Sequence, residues 1–205
     1  MITAGLTGGI ACGKSFVTKL LLEKGAIIID LDQVAREVVK PGGEAWSDIV
    51  TFFGREFVDV EGNIDRQKLG QVVFSDEKKR EKLNQITHRR IIEYVQKIKD
   101  EFYKNPENKG KVLVIDAPLL IEAGMDKMVD KVIVIVCDTE IQKKRLMERN
   151  NLSEEESYQR INAQMPLEEK ARYGDYIIDN SHTREYTRKQ VDIIWQKLIR
   201  EMPRR

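Results

Sequence analysis

Residues 8–15 decide the fold, and they read Gly8-Gly9-Ile10-Ala11-Cys12-Gly13-Lys14-Ser15. This is the G-x-x-x-x-G-K-S pattern of a phosphate-binding loop, or P-loop. An apolar run precedes it and a helical pattern follows it, which is the strand–loop–helix context that the motif needs. The glycines let successive N–H groups turn into one concavity, to which the helix N-terminus adds partial positive charge. We expect Lys14 to reach the β- and γ-phosphates of a nucleotide and the Ser15 hydroxyl to bind Mg²⁺.

The composition is that of a globular chain with balanced charge. Its 205 residues are 41% hydrophobic and 34% charged, and the net charge is +1. A charge this small gives no general electrostatic argument for nucleic-acid binding, and the apolar stretches are too short to cross a membrane. Cys12 and Cys137 are too few for a disulfide framework. We interpret them as reduced thiols and expect a cytoplasmic protein.

Five short apolar runs predict strands that are buried on both faces of a sheet. They are Ile2–Leu6, Ala26–Ile29, Val112–Ile115, Val132–Val136 and Tyr176–Ile178. Helical patterns alternate with these runs, so we predict an α/β fold with a five-stranded parallel sheet flanked by helices. Ligands bind beyond the carboxyl ends of the strands in such sheets. Polar residues that directly follow a strand are therefore the candidates for a functional site.

Two carboxylates follow the second predicted strand. If the chain is still extended there, Asp30 and Asp32 project to the same side. If a helix begins at residue 31, Asp30 is its N-cap and the two side chains diverge. A carboxylate here could orient or deprotonate an acceptor hydroxyl. Arg36 lies one helical turn beyond Asp32 and could pair with it or with a substrate phosphate.

Residues 36–110 do not fit a minimal five-stranded sheet, and we predict a helical lobe that holds the acceptor substrate. A long amphipathic helical pattern runs through this segment. It carries His88-Arg89-Arg90, which is either a solvated basic face or a contact for anionic groups of the acceptor. The remaining core is predicted in residues 1–35, 111–140 and 172–205.

Asp116 follows the third predicted strand. A carboxylate at this place holds Mg²⁺ through water in P-loop nucleotide sites. The alternative is that Asp116 caps a helix that begins near Leu119. We also count Asp116 among the candidate residues for binding the acceptor substrate.

Residues 141–171 carry cations on two short helical patterns joined by a polar turn. Arg145 and Arg149 are four positions apart and lie on one helical face. The segment is either an ordinary charged helical hairpin or a mobile lid whose arginines stabilise charge on a transferring phosphoryl group. We predict the lid. Asn180, after the fifth strand, is placed either in a simple turn or at the adenine edge of the nucleotide.

With these pieces placed, the chain resembles the dephospho-CoA kinase family. The resemblance runs almost from end to end and is most specific in three places. These are Leu6-Thr7-Gly8-Gly9-Ile10, the Asp30 and Asp32 pair, and Arg160-Ile161-Asn162-Ala163-Gln164-Met165. Members of the family usually have His-Pro where this chain has His88-Arg89.

The resemblance implies a P-loop kinase fold with a core, a helical lobe that binds CoA, and a lid. It implies transfer of the γ-phosphoryl group of ATP, with Mg²⁺, to the ribose 3′-hydroxyl of dephospho-CoA, the last step of coenzyme A synthesis. Residues 8–15 would hold ATP, with Arg149 and Asn180, and Asp32 would be the base. Arg145 and Lys14 would act on the transferred group. The acceptor side would be lined by Thr7, Asp30 and Arg36. We count Asp32, His88 and Asp116 with them as candidate residues for binding the acceptor.

Two other functions share parts of this pattern. Another kinase of the same fold, acting on a nucleoside, a nucleotide or a small alcohol, would need the same loop, acid and lid. A GTP-dependent switch would usually show an Asn-Lys-x-Asp motif, and Asn108-Lys109-Gly110-Lys111 lacks the Asp. A nucleic-acid partner is disfavoured because aromatic residues do not interleave with the basic patches.

Overall fold

A computed structural model of the chain describes residues 1–202. Its strands are β1 (Ile2–Gly8), β2 (Ile27–Asp30), β3 (Val112–Asp116), β4 (Lys131–Val136) and β5 (Tyr176–Asp179). They form one parallel sheet in the order β2-β3-β1-β4-β5. The predicted five-stranded parallel sheet is confirmed. Each observed strand overlaps its predicted apolar run.

β1 lies in the middle of the sheet and is buried along its whole length. It pairs in parallel with β3 on one side and β4 on the other, and Leu6 of β1 lies opposite Asp116 of β3. The chain reaches β2 and β3 on one side of β1, and β4 and β5 on the other. The segment after β1 therefore leaves the sheet at its topological switch point, where parallel sheets bind ligands.

The described residues also form helices between and after the strands. They are α1 (Lys14–Glu23), α2 (Leu31–Glu37), α3 (Glu44–Phe53), α4 (Arg66–Ser75), α5 (Glu77–Lys104), α6 (Thr139–Asn150), α7 (Glu154–Asn162), α8 (Leu167–Ala171) and α9 (Arg184–Glu201). Apolar side chains of α1 and α9 pack into the same buried cluster as the strands. Val191, Ile194 and Leu198 of α9 are buried, so the stripe at positions i, i+3 and i+7 faces the core.

The chain divides into two compact units. The first unit contains Met1–Ile29 and the chain from Phe102 onward, and the second unit is Asp30–Glu101. The second unit has its own apolar core, which includes Ile49, Phe53, Phe57, Ile64, Leu69 and Ile86. The division into a core, a lobe at 36–110 and a lid at 141–171 remains a prediction. Its last core segment, 172–205, ends in residues 203–205, which lie outside the described part of the chain.

Among the helices of residues 1–202, none has a long enough apolar stretch to cross a membrane.

Candidate active site

The P-loop begins at the end of β1 and closes onto the first residue of α1. Gly13 has φ +88°, and Ala11, a residue that rarely adopts this conformation, has φ 59°. The Cys12 N–H donates to the Gly9 carbonyl at 3.1 Å, which tightens the turn. Alternation of right- and left-handed residues aims neighbouring N–H groups into one concavity, which is an anion-binding nest. The backbone strain at Ala11 is of the kind that collects at ligand sites.

Lys14 is anchored to the end of β3. Its ammonium group pairs with one carboxylate oxygen of Asp116, and the Thr18 hydroxyl donates to the other at 2.7 Å. Asp116 is 5% exposed, so both of its oxygens are fixed in place. Residues 118–124 form turns rather than a helix. The alternative of Asp116 as a helix N-cap is therefore wrong, and its side chain positions the P-loop lysine.

Two glutamines hold the two backbone groups of Ile10. The Ile10 N–H donates to Gln164 Oε1 at 2.9 Å, and Gln142 Nε2 donates to the Ile10 carbonyl at 2.8 Å. Gln142 lies on α6 and Gln164 follows α7, so both come from the predicted lid segment. A Cβ atom on Gly9 would lie 2.8 Å from Gln142 Nε2, which explains the glycine at that position. These bonds fix the position of the Ile10 backbone in the P-loop.

Asn180 supports the loop from the other side. Its amide Nδ2 donates to the Cys12 carbonyl at 2.8 Å, and its Oδ1 accepts from the Thr187 hydroxyl at 2.7 Å. Gly13 lies so close that a Cβ atom there would overlap with Asn180 Nδ2. Asn180 is buried, and its polar atoms are engaged with the protein. These contacts support the loop backbone, and the placement of Asn180 at adenine stays a prediction.

The two predicted lid arginines differ in their surroundings. Among the described residues, Arg145 Nη1 is a buried nitrogen without a hydrogen-bond partner. A buried guanidinium nitrogen that is left unpaired is costly, and an anionic ligand would satisfy it. Arg149 is exposed, and its Nε donates to Asn150 Oδ1 at 2.8 Å. The first arginine therefore has the environment of an anion-binding group.

A buried lysine lies beneath the turn that follows β3. Lys170 of α8 is fully buried, and its Nζ lies 2.9 Å from Glu122 Oε1 and 2.9 Å from the Pro118 carbonyl. The Thr7 hydroxyl donates to the same Pro118 carbonyl at 3.0 Å. Thr7, predicted on the acceptor side, thus helps to hold this turn. The ion pair ties α8 to the turn that directly follows Asp116.

In the second unit, Asp30 caps α2. Its Oδ1 accepts from the N–H groups of Asp32 at 2.8 Å and Gln33 at 3.2 Å. A helix therefore begins at residue 31, which is the alternative in which the two carboxylates diverge. Asp32 is exposed in the first turn of α2.

The second unit contains a pocket of about 290 Å³. Asp32, Arg36 and Arg66 line it together with apolar side chains, among them Leu69 and Leu83. One carboxylate, two guanidinium groups and an apolar wall suit an acceptor that carries phosphates and an apolar portion. His88, which was predicted to bind the acceptor, is exposed on α5 and is not among the residues that line this pocket.

The comparisons with known proteins decide the family. A family model described as dephospho-CoA kinase matches residues 2–185. The chain belongs to the dephospho-CoA kinase family. It is 46% identical over 190 residues to the dephospho-CoA kinase of Geobacillus kaustophilus, with 93% of each chain covered. It is 41% identical over 198 residues to that of Listeria monocytogenes, covering 97% of this chain and 98% of the relative.

A solved structure supports the same assignment. The dephospho-CoA kinase from Campylobacter jejuni has 27% sequence identity and a TM-score of 0.73, and 97% of each chain is covered. The P-loop kinase fold is confirmed. As a member of this family, the chain is an ATP-using kinase and therefore a nucleotide-binding transferase.

The structure adds residues to which the sequence assigned no role. Gln164 was part of the resemblance to dephospho-CoA kinases, but only the fold shows that it and Gln142 both contact Ile10. Lys170 gave no signal, because a lysine after two glutamates in a short helix is typical of a solvated surface. Arg66 was also missed, because it lies 34 positions from Asp32 and joins it only in the folded pocket.

Proposed function

We propose that this kinase transfers the γ-phosphoryl group of ATP to the ribose 3′-hydroxyl of dephospho-CoA, giving CoA and ADP. The observation that carries the proposal is the P-loop of the first unit, with Lys14 fixed on Asp116. Family membership and the phosphate-suited pocket of the second unit name the acceptor class. Phosphoryl transfer needs little covalent chemistry, so positioning and charge stabilisation supply most of the catalysis.

Each group in the proposal has one task. The N–H groups of residues 8–15 bind the phosphates of ATP, and Lys14 reaches the β- and γ-phosphates. Arg145 stabilises the charge that spreads over the transferred group, and its buried Nη1, which has no hydrogen-bond partner within residues 1–202, supports this role. Arg149, exposed at the end of the same helix, is the further arginine that we propose to contact ATP.

On the acceptor side, Asp32 accepts the proton of the 3′-hydroxyl, and Arg36 and Arg66 bind the acceptor phosphates. These three side chains line one pocket. Asp30, Thr7, Asp116 and His88 were predicted on this side as well. They stay in the proposal. Within the protein, Asp30 caps α2, Thr7 donates to the Pro118 carbonyl and Asp116 pairs with Lys14. For His88 we keep the predicted contact with anionic groups of the acceptor.

Mg²⁺ belongs to the proposal because the P-loop motif supplies a serine hydroxyl, an oxygen ligand of the kind that this ion prefers. Ser15 is exposed in the first turn of α1, where its hydroxyl would be the protein ligand of the ion. The ion would neutralise charge between the β- and γ-phosphates when bound. We place the reaction in the cytoplasm, since the two cysteines are free thiols.

The test is ADP release from Mg-ATP with separate acceptors: dephospho-CoA, adenosine, nucleoside monophosphates, shikimate and none. We expect ADP only with dephospho-CoA, together with CoA as the second product. ADP formed with another acceptor would refute the proposal that dephospho-CoA is the substrate. ADP formed at the same rate with and without an acceptor would refute the kinase reaction. Lys14→Ala should abolish turnover, whereas Lys19→Ala, an exposed lysine on the same helix, should leave it unchanged. A near-wild-type rate for Lys14→Ala would refute the role of the P-loop.

A further inference from the structure

The fold brings the two cysteines of the chain together. Cys12 lies in the P-loop and Cys137 directly follows β4, and their Sγ atoms are 2.8 Å apart although the residues are 125 positions apart in sequence. Both are free thiols. Cys12 is fully buried, and Cys137 is 8% exposed. The proposed reaction has no task for either sulfur, because the P-loop binds phosphate through its backbone.

The surroundings give the two thiols different reactivity. The hydrogen bond with Cys137 and burial raise the pKa of Cys12. The same hydrogen bond lowers the pKa of Cys137, with help from the charge of Arg145 and against burial and the carboxylates of Asp138 and Asp179. Cys137 is therefore both the more exposed thiol and the one that loses its proton more readily. A thiolate, rather than a thiol, is the nucleophile in cysteine oxidation.

We propose that Cys12 and Cys137 are an oxidative modification site, at which a peroxide joins them in an intrachain disulfide that slows phosphoryl transfer. The effect on turnover rests on the proposed function. The existence of the disulfide does not. Disulfides of cytosolic proteins are usually transient and often sense redox state.

The chemistry proceeds in two balanced steps. The Cys137 thiolate attacks one oxygen of the peroxide, the O–O bond breaks, and the released hydroxide takes a proton to become water. Cys137 is then a sulfenic acid. Cys12 loses its proton as its sulfur attacks the Cys137 sulfur, the S–O bond breaks, and hydroxide leaves with that proton as a second water. The two thiols lose two electrons, and the peroxide is reduced to two waters.

The disulfide would act on the P-loop backbone. A disulfide holds its sulfurs about 2.05 Å apart, so the Cys12 side chain is drawn toward the end of β4. The Cys12 carbonyl accepts from Asn180 and its N–H donates to Gly9, so this movement disturbs both bonds that shape the loop. Lys14 is two residues away. A misplacement of about 1 Å in a site that works by positioning costs on the order of a hundredfold, and we expect at least about a tenfold loss of turnover.

The experiment treats the reduced full-length kinase with hydrogen peroxide, then measures intact mass, linked peptides and ADP release with dephospho-CoA. We expect a mass lower by two hydrogen atoms, a peptide pair joined through Cys12 and Cys137, and about a tenfold loss of turnover. A thiol reductant should restore both mass and turnover. Cys137→Val keeps a buried apolar side chain at that position and should keep full turnover under the same treatment. Cys137→Ser serves the same purpose if the valine variant does not fold.

The outcomes separate the two proposals. No linked peptide in wild type would overturn the modification site, and a disulfide with unchanged turnover would overturn its effect. Equal peroxide inactivation of wild type and Cys137→Val would place the damage at other residues and would also overturn the proposed effect of the disulfide on turnover. If the reduced kinase shows no ADP release with dephospho-CoA, the proposed function fails. The linked peptide would still report the disulfide.

Discussion

The buried Lys170 offers the sharpest test of how the first unit is held together. Lys170→Met replaces the lysine with an apolar side chain of similar length, which removes one charge and three hydrogen-bond donors. It leaves the Glu122 carboxylate without the cation 2.9 Å away, and it removes a donor from the Pro118 carbonyl. The Thr7 hydroxyl remains on that carbonyl. The substitution therefore tests the charge of Lys170 and changes the packing little.

The expected cost follows from the burial of the pair. Removing one partner of a buried ion pair costs about 3–5 kcal/mol, because the other charge stays buried and unpaired. The Glu122 side chain is 23% exposed, so water stabilises the remaining carboxylate in part. We therefore expect Lys170→Met to lower the free energy of unfolding by about 3 kcal/mol, the lower end of that range.

Urea unfolding measures this free energy, followed both by far-ultraviolet circular dichroism and by tryptophan fluorescence, whose transitions must coincide. Lys170→Met with Glu122→Gln removes both charges and should recover about 2 kcal/mol of the loss. Lys189→Met is the matched control, since Lys189 pairs with Glu185 at the surface and should change stability by less than about 1 kcal/mol. A loss below about 1 kcal/mol for Lys170→Met would refute the reasoning. So would a double variant as unstable as the single one.

Three further predictions concern the site. Asp32→Asn should lower turnover about a hundredfold or more with unchanged ATP affinity, measured by steady-state rates and titration, and equal losses in both would reject Asp32 as the base. Gln164→Leu should lower kcat/KM for ATP about tenfold, as one lost hydrogen bond predicts, whereas Gln164→Glu keeps an acceptor oxygen and should recover most of it. Burial raises the pKa of Asp179, but hydrogen bonds from Ser181 outweigh burial, and the net effect is a lowered pKa. This carboxylate therefore stabilises the fold at pH values above its unfolded pKa of about 3.9, and the stabilisation is lost as the pH falls through the folded pKa. Ser181→Ala removes the hydroxyl that donates to Asp179 and that also accepts from the Asp138 N–H. It should therefore lower the urea midpoint more at neutral pH than at a pH below the folded pKa of Asp179, and an equal deficit at both pH values would contradict this.

The sequence was most informative where a residue's role depends on its near neighbours. The P-loop spacing, the apolar runs and the stripe of α9 are local patterns, and the sheet and helix they predicted are present. The capping of α2 by Asp30 was one of two local readings, and only the backbone at residue 31 could decide between them. Both interpretations of Asp30 and Asp32 use the same residues, so the choice between them depends on where α2 begins.

Contacts between distant segments could not be predicted in the same way. Lys170 meets Glu122 across 48 positions, and its burial depends on how α8 packs on the turn after β3. Neither residue type is typical of a core, and no periodicity marks them. Cys12 and Cys137 could not be predicted to be neighbours for the same reason, since they lie close together only because β1 and β4 are adjacent strands.

The two glutamine contacts bear on how the predicted lid can move. Gln142 lies in the first half of α6, and Gln164 follows the end of α7. Both are bonded to Ile10, so the segment is tied to the P-loop at two places, and α7 lies between them in sequence. A displacement of α7 with the residues after it must break the bond that the Ile10 N–H donates to Gln164, whereas α6 can keep the bond that Gln142 donates to the Ile10 carbonyl. If the segment moves as the predicted lid, the motion would act directly on the N–H of Ile10 in the P-loop, through the Gln164 side chain.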